Sequence, residues 1–302
     1  MAPAVQAVGR PVVIIAPFTP GAPPDVVARI LADGLQQRQQ RTYVVENRPG
    51  ASGIIGAGYV ARSAPDGETL MVYTTSLVMS AKLYDPLPYD PLASFAPVTE
   101  LVDVDYVLVL HPSGGATLEE FIAKAHAQPG VLNYASPGVG TPHHLTMELL
   151  RQQASLDVAH VPYRGTAGAV TAVLSGEVQA MFMPVNGAVE IVRGDMVRNV
   201  ATAAPGRLSL LPDVPTLAER GFPGVMMRDW FALFAPAGLP DAQLDRLAAE
   251  ANAVIATPEI AANLRAQGFD PIGGSPASLK ARMTADFARW SKLIQERGIR
   301  LD

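Results

Sequence analysis

An α/β fold in two lobes, each built on a mainly parallel sheet with helices on both faces, is what the sequence predicts. Three observations point to it. Apolar runs of strand length alternate with helix-period segments from residue 12 to the C-terminal end. The chain has 302 residues, which suits about two domains of ordinary size. One local pattern occurs twice: residues 12–25 read VVIIAPFTPGAPPD, and residues 131–144 read VLNYASPGVGTPHH. Each copy is a short strand, a Pro/Gly loop and a helix opening at proline, where the missing N–H would have no partner anyway.

The elements follow in order. Residues 12–16 form a continuous apolar run, as a strand buried on both faces requires. Residues 24–37 carry Val26, Val27, Ile30, Leu31 and Leu35 at the spacing of one helix face. Residues 43–46 read as a short strand, 47–50 as an Asn-Arg-Pro-Gly turn, and 52–62 as a helix of small residues. A Pro-Asp-Gly turn at 65–67 ends that helix, and 69–74 is the next strand. Pro86, Pro88, Pro91 and Pro97 make 83–97 irregular. The apolar run 105–110 leads into the second half. Residues 117–127 are a helix with Thr117 as N-cap and Glu120 at capping-box spacing.

Tyr134 precedes the second copy of the loop and the helix 145–153. Residues 160–163 read as a strand, 166–174 as a helix, 178–183 as a strand, 185–192 as a helix and 197–202 as a strand. A loop at 211–216 leads into a short helix at 217–220. Residues 230–235 form a strand. The helices 240–257 and 258–267 each begin at a proline, and 276–297 is a long amphipathic helix. Ligands of such sheets bind beyond the carboxyl ends of the strands, where both copies of the repeated loop fall.

Hydrophobic residues make up 49% of the chain, ample for packed cores. The net charge of -5, with no basic stretch among aromatics, argues against nucleic acid as a partner. No apolar run approaches the length of a bilayer span. The absence of cysteine removes thiol catalysis, thiolate metal sites and disulfides together. It fits an oxidising compartment, although cytosolic proteins also manage without cysteine.

Few residues carry recognisable chemistry. Residues 50–56 are glycine-rich but lack the spacing and the lysine of a phosphate loop, leaving a turn with close helix packing. There is no Gly-x-Ser-x-Gly nucleophile elbow. His144 and Glu148 stand four apart, as two metal ligands on a helix would, but no third ligand is in view. No metal and no cofactor are expected. His143 and His144 occupy the first turn after Pro142, one expected toward the loop and the other in packing. Asp25 holds the matching place in the first copy; a carboxylate beside an anion would repel it, so Asp25 should face away or hold the loop. The unpaired N–H groups at both helix starts attract anions. The repeated pattern is therefore either two ordinary strand-to-helix connections or two lobes converging on one small acidic ligand.

Several stretches resemble the Bug family, the extracytoplasmic solute receptors of tripartite tricarboxylate transporters. They read APFTPG at 16–21, VENRPGA at 45–51, APDGETL at 64–70, LPYDP at 87–91, GVGTPHHL at 138–145, HVPYRG at 160–165, LPDVPT at 211–216 and WFALFAP at 230–236. They run along most of the chain in the family's order. The resemblance implies a periplasmic binding protein of type II-like fold. Its two α/β lobes would be joined by crossover strands, with the ligand cleft between them. Residues 1–103 and 228–302 would form one lobe and 104–227 the other.

The implied function is capture of a small organic carboxylate, a dicarboxylate or an aromatic acid, without catalysis. A two-component membrane permease would receive it. A monomer in the periplasm is expected, with the signal peptide already removed, because residues 1–10 lack a signal peptide's charged start and apolar core. In the family the ligand carboxylate is held by backbone amides and ordered waters of the two loops. Carried over, these are Phe18, Thr19, Pro20, Gly21 and Ala22 in one lobe and Ser136, Gly138, Val139, Gly140, Thr141 and His143 in the other, with Ser76 counted among them.

Two positions depart from the family pattern. Many members carry an acid where this chain has Met183, and a small polar residue where it has Asp229 after Arg228. Met183 is expected to line the distal cleft and, with Asn186 fixing that segment, to disfavour ligands with an amino group. Arg164 or Arg228 would take a second carboxylate, unless either is spent in a surface or interlobe salt bridge. Two rival readings stand beside transport: a sensory receptor signalling to a membrane kinase, and an enzyme using His143, His144 and Asp25 as acid and base.

Overall fold

The structure, a computed structural model, describes residues 10–84 and 86–300. The reading of the first residues as the start of a mature chain falls at 1–9, outside the described residues. The first lobe opens with β1 (Val12–Ala16), α1 (Pro23–Gln39), β2 (Tyr43–Asn47), α2 (Ile54–Ala61), β3 (Thr69–Thr74) and the single turn α3 (Ser76–Met79). The long strand β4 (Phe95–Leu110) leads to α4 (Leu118–Ala127), β5 (Asn133–Ser136), α5 (Pro142–Gln153), β6 (Ala159–Pro162) and α6 (Thr166–Ser175). Then come β7 (Ala180–Pro184), α7 (Val185–Ile191) and β8 (Arg198–Thr202). The chain returns through β9 (Arg228–Pro236) and ends with α8 (Asp241–Ile255), α9 (Pro258–Ala266), β10 (Asp270–Pro271) and α10 (Pro276–Arg297).

The strand order is β2-β1-β3-β9-β4-β7-β5-β6. Strands β2, β1 and β3 are parallel, as are β6, β5 and β7. The centre departs from the parallel expectation, because β9 runs antiparallel to both β3 and β4, and β4 antiparallel to β7 and β8. Strand β4 serves both lobes. Its residues as far as Asp105 pair with β9, and from Tyr106 onward they pair with β7. Two α/β lobes thus share a crossover strand.

Two local expectations need correction. The strand predicted at 105–110 begins ten residues earlier, at Phe95. Pro97 is accommodated because the pairing with β9 shifts register between Pro97 and Thr99. Buried Thr99, Glu100 and Asp103 also interrupt the apolar pattern. The helix predicted at 217–220 is a set of turns.

Helix α1 starts with prolines at its first two positions and stops at Gln40, whose φ of 51° is left-handed. Its Val27, Leu31 and Leu35 are buried with Ala251 and Val254 of α8 against the first sheet. Burying each such leucine contributes roughly 1.5–3 kcal/mol. Helix α10 straddles the molecule. Leu279 and Met283 join the first-lobe cluster of Tyr73, Trp230 and Phe234, whereas Trp290, Leu293 and Ile294 join the second-lobe cluster of Tyr106, Leu145 and Leu150.

Candidate functional site

A cleft of about 920 Å³ lies between the lobes. Its lining comes from the segments that follow β1, β2 and β3 on one side and β5, β6 and β7 on the other, with Tyr106 of β4 and Asp229 and Phe231 of β9 also exposed to it. All six segments leave the carboxyl ends of parallel strands, the location that this class of sheet reserves for ligands. Among the described lining residues, Arg164 is the sole Lys or Arg and Asp229 the sole carboxylate.

The loop after β1 is held from behind by Asp25. Gly21 N–H donates to its Oδ2 at 2.8 Å, Asn47 Nδ2 donates to Oδ1 at 2.8 Å, and Arg29 pairs with it at 3.0 Å. Burial works against the charge of Asp25, but the Arg29, Gly21 and Asn47 bonds outweigh it and hold the carboxyl below its ordinary value. Asp25 therefore holds the loop, as expected. No hydrogen bond joins it to His143 or His144 among the described residues, so the acid-base arrangement does not form.

The donor pattern differs from the expected symmetry. The start of α1 offers no free N–H in its first turn. Pro23 and Pro24 have none, Asp25 N–H bonds Ala22 O, Gly21 N–H is spent on Asp25, and Ala22 N–H bonds Thr19 O. Phe18 and Thr19 of this loop line the cleft, and their N–H groups bond no other described group. The start of α5 does leave His143 and His144 N–H open, and α6 likewise leaves Thr166 and Ala167. These two helix ends and Arg164 make one side of the cleft attractive to anions.

The predicted residues divide accordingly. Phe18, Thr19, Pro20, Gly21, Ala22, Ser76, Thr141, His143 and Arg164 line the cleft. Ser136, Gly138, Val139, Gly140, Met183, Asn186 and Arg228 do not. Ser136 is fully buried, and its hydroxyl bonds His160 Nε2 at 2.7 Å and accepts Gly138 N–H at 3.1 Å. Gly140 donates its N–H to His144 Nδ1 at 3.0 Å. The amides of Gly138 and Gly140 thus shape the loop and are not offered to a ligand. Val139 packs on the second-lobe core.

Met183 is 2% exposed and lies in the cluster of Val107, Met181 and Val185, because strand alternation turns it away from the cleft that Pro184 reaches. Asn186 lies instead beside Gly268 of the first lobe. Arg228 is spent in ion pairs with Asp103 at 3.0 Å, Asp105 at 3.7 Å and Asp270 at 2.7 Å, the salt-bridge alternative.

The two histidines have separate tasks. His144 stacks on His160 with ring centroids 4.0 Å apart. Its partner Glu148, 3.9 Å away, is already bonded by Tyr134, Arg151 and Arg297, so the pair is structural. Among the described residues no group of three or more His, Cys, Asp or Glu is placed to hold a metal ion. His143 lines the cleft and meets Tyr106 edge to face at 5.1 Å, and burial lowers its pKa from 6.5 to about 3.

In the sequence Asp229 stands out as a departure from the family pattern near the distal end of the cleft, but not as one of the site residues. Strand parity is the signal that finds it. If Arg228 turns to one face of β9, Asp229 must turn to the other. It is 3% exposed, and burial raises its pKa from 3.8 to about 7 against the bonds from Thr75 and Tyr106. Tyr106, which no sequence motif marks, also lines the cleft, as do residues 49–53 after β2, which read in the sequence as a turn with close helix packing.

Comparison with known proteins gives a consistent picture. A family model described as "Tripartite tricarboxylate transporter family receptor" matches residues 27–299. Protein BugT of Bordetella pertussis (strain Tohama I) is 33% identical, over 97% of this chain and 90% of its own length. An R. palustris protein, Rpa4515, solved with adipate, superposes with a TM-score of 0.90 at 30% identity, covering 97% of this chain and 99% of that one. MatC from Rhodopseudomonas palustris, solved with bound malate, gives 0.85 at 29% identity over 95% and 99%.

Proposed function

The chain belongs to the tripartite tricarboxylate transporter receptor family, and from that premise we propose that it captures a small organic carboxylate, a dicarboxylate or an aromatic acid, and presents it to a two-component membrane permease. The observation that carries this reading is the anion-seeking side of the cleft. Two helix starts with open N–H groups and Arg164, the one Lys or Arg among the described lining residues, stand across it from the Phe18–Thr19 turn. The bound adipate and malate of the two structural relatives support a carboxylate here. The protein works as a monomer in the periplasm, and its role is binding without turnover. Residues up to 103 and from 228 form one lobe, 104–227 form the other, and the cleft closes when the lobes approach.

A thermal-shift screen of organic acids tests the reading. A ligand that binds only the folded state raises the transition temperature with log concentration once above its Kd. At least one carboxylate should do so, and calorimetry should give a one-to-one complex. A full panel of di-, hydroxy-, amino- and aromatic acids that leaves the transition unmoved would remove carboxylate capture as the function.

A further inference from the structure

Beside the anion-seeking helix starts, the cleft has side-chain polar groups that carboxylate capture by backbone N–H groups and Arg164 does not use. Asp229 and His143 both line the cleft, and both touch Tyr106. Tyr106 OH donates to Asp229 Oδ2 at 3.2 Å, and Thr75 N–H donates to Asp229 Oδ1 at 3.1 Å. The Thr75 side chain bonds Asp229 as well, and these three bonds still leave the carboxylate, with about four lone-pair sites, room for one more donor. His143 is 9% exposed, and neither Nδ1 nor Nε2 has a hydrogen-bond partner. A neutral imidazole offers one donor and one acceptor, and leaving both unmade in a buried place is costly. Buried polar groups in native proteins are nearly always paired, so an orphaned histidine on a cleft wall calls for a partner from outside the chain.

What such a partner must be follows from charge and hydrogen-bond sense. A second carboxylate placed here would meet Asp229, the one carboxylate among the described lining residues, and would be accommodated only with Asp229 protonated. An aliphatic or aromatic surface would leave His143 unpaired and add no bond to the buried Asp229. A hydroxyl or an ammonium group donates a hydrogen bond to a carboxylate, and a hydroxyl also accepts one from an imidazole N–H.

Resting on the reading of the cleft as a carboxylate site, we propose that Asp229 and His143, joined through Tyr106, form a subsite for a hydrogen-bond donor on the ligand, so that the protein selects carboxylic acids bearing a hydroxyl or ammonium group over their unsubstituted counterparts. This replaces the expectation built on Met183. The acid absent at 183 has a counterpart at 229, on the face of a strand that does reach the cleft.

Two matched triads test it by calorimetry: succinate, malate and aspartate, and phenylacetate, mandelate and phenylglycine. Within each triad one substituent changes from hydrogen to hydroxyl to ammonium. In the native protein the hydroxyl or ammonium member of at least one triad should bind about tenfold or more tighter than the unsubstituted acid, the scale of a hydrogen bond to a charged group. Asp229→Asn keeps an acceptor for Thr75 N–H but loses the charge. It should cut the ammonium preference about tenfold while leaving the unsubstituted acid bound as well or better. His143→Leu should reduce the hydroxyl preference, and it decides the matter if Asp229→Asn fails to fold. The proposal falls if the unsubstituted member binds as tightly as its partners, if both variants keep the native ranking, or if neither triad binds while other carboxylates do. A panel on which no carboxylate binds sinks the carboxylate site itself, and the subsite with it.

Discussion

Replacing Met183 by Asp would bury an unpaired carboxylate among Val107, Met181 and Val185, so its effect belongs to stability. Met183→Asp should lower the unfolding free energy by more than about 3 kcal/mol, whereas Met183→Leu should cost less than about 1.5 kcal/mol. Urea midpoints of the two variants check this; a folded, equally stable Asp variant would mean that residue 183 faces water. His143 contributes a pH signature. Its pKa falls from 6.5 to about 3 through burial, so between those values the unfolded chain binds a proton that the folded protein refuses. The stability tied to His143 is complete above 6.5 and is lost as pH falls toward 3. His143→Leu should therefore change stability by no more than about 1 kcal/mol near neutrality and lose less than the parent on acidification. Denaturant titrations at neutral pH and at about pH 4.5 give the comparison. Residue types alone drew attention to His143, Arg164 and the loop prolines. Met183, Arg228 and Asp229 could be sorted only by which face of a strand each occupies.

Among the elements, the start of α5 is set by Gly140, whose φ is +77° and whose missing Cβ leaves room for Leu83 Cδ1, 2.1 Å from where a Cβ would stand. Gly140→Ala should cost about 1–2 kcal/mol from the left-handed backbone together with displacement of Leu83. Adding Leu83→Ala should return the steric part, giving a favourable coupling in a double-mutant cycle. Strictly additive losses would show that Leu83 yields freely. The middle of β4 sets a second pH response, opposite in sign to that of His143. Glu100 is raised by burial and by Asp103, with which it shares the guanidinium of Arg282. Burial raises Asp105 from 3.8 to about 6, against the pull of Arg228. Raised carboxyls contribute stability that is present below their ordinary pKa and lost as pH rises through the folded value. Asp105→Asn should thus lose less stability than the parent between about pH 4 and 7, read as transition temperature against pH. This strand was also where the sequence was least legible. Periodicity finds elements whose faces differ, and it located α1, α10 and the outer parallel strands within a few residues. It passed over residues 95–104 because a proline at a register shift and buried charged pairs erase the pattern that marks a strand.

At the scale of the molecule, a cleft lined from both lobes lets a bound ligand bias the angle between them. Saturating acid should lower the radius of gyration in small-angle scattering; an unchanged profile at proven full occupancy would mean a rigid cleft. Helix α10 restrains that motion, because Arg297 pairs with Glu148 at 3.1 Å at one end while Leu279 and Met283 are buried in the first-lobe core near the other. The central position of β9 has one more consequence, in the time domain. In the first sheet β3 meets β9, and Thr75 bonds Asp229 across 154 residues of chain. Residues 106–202 of the second lobe, by contrast, can pair among themselves as soon as they exist. Closing so long a loop is slow, and its entropy must be met before any contact rewards it. The second lobe should accordingly be structured early in refolding. The first should remain an open-edged sheet until β9 slots between β3 and β4, so the wall that carries Asp229 is among the last surfaces to form.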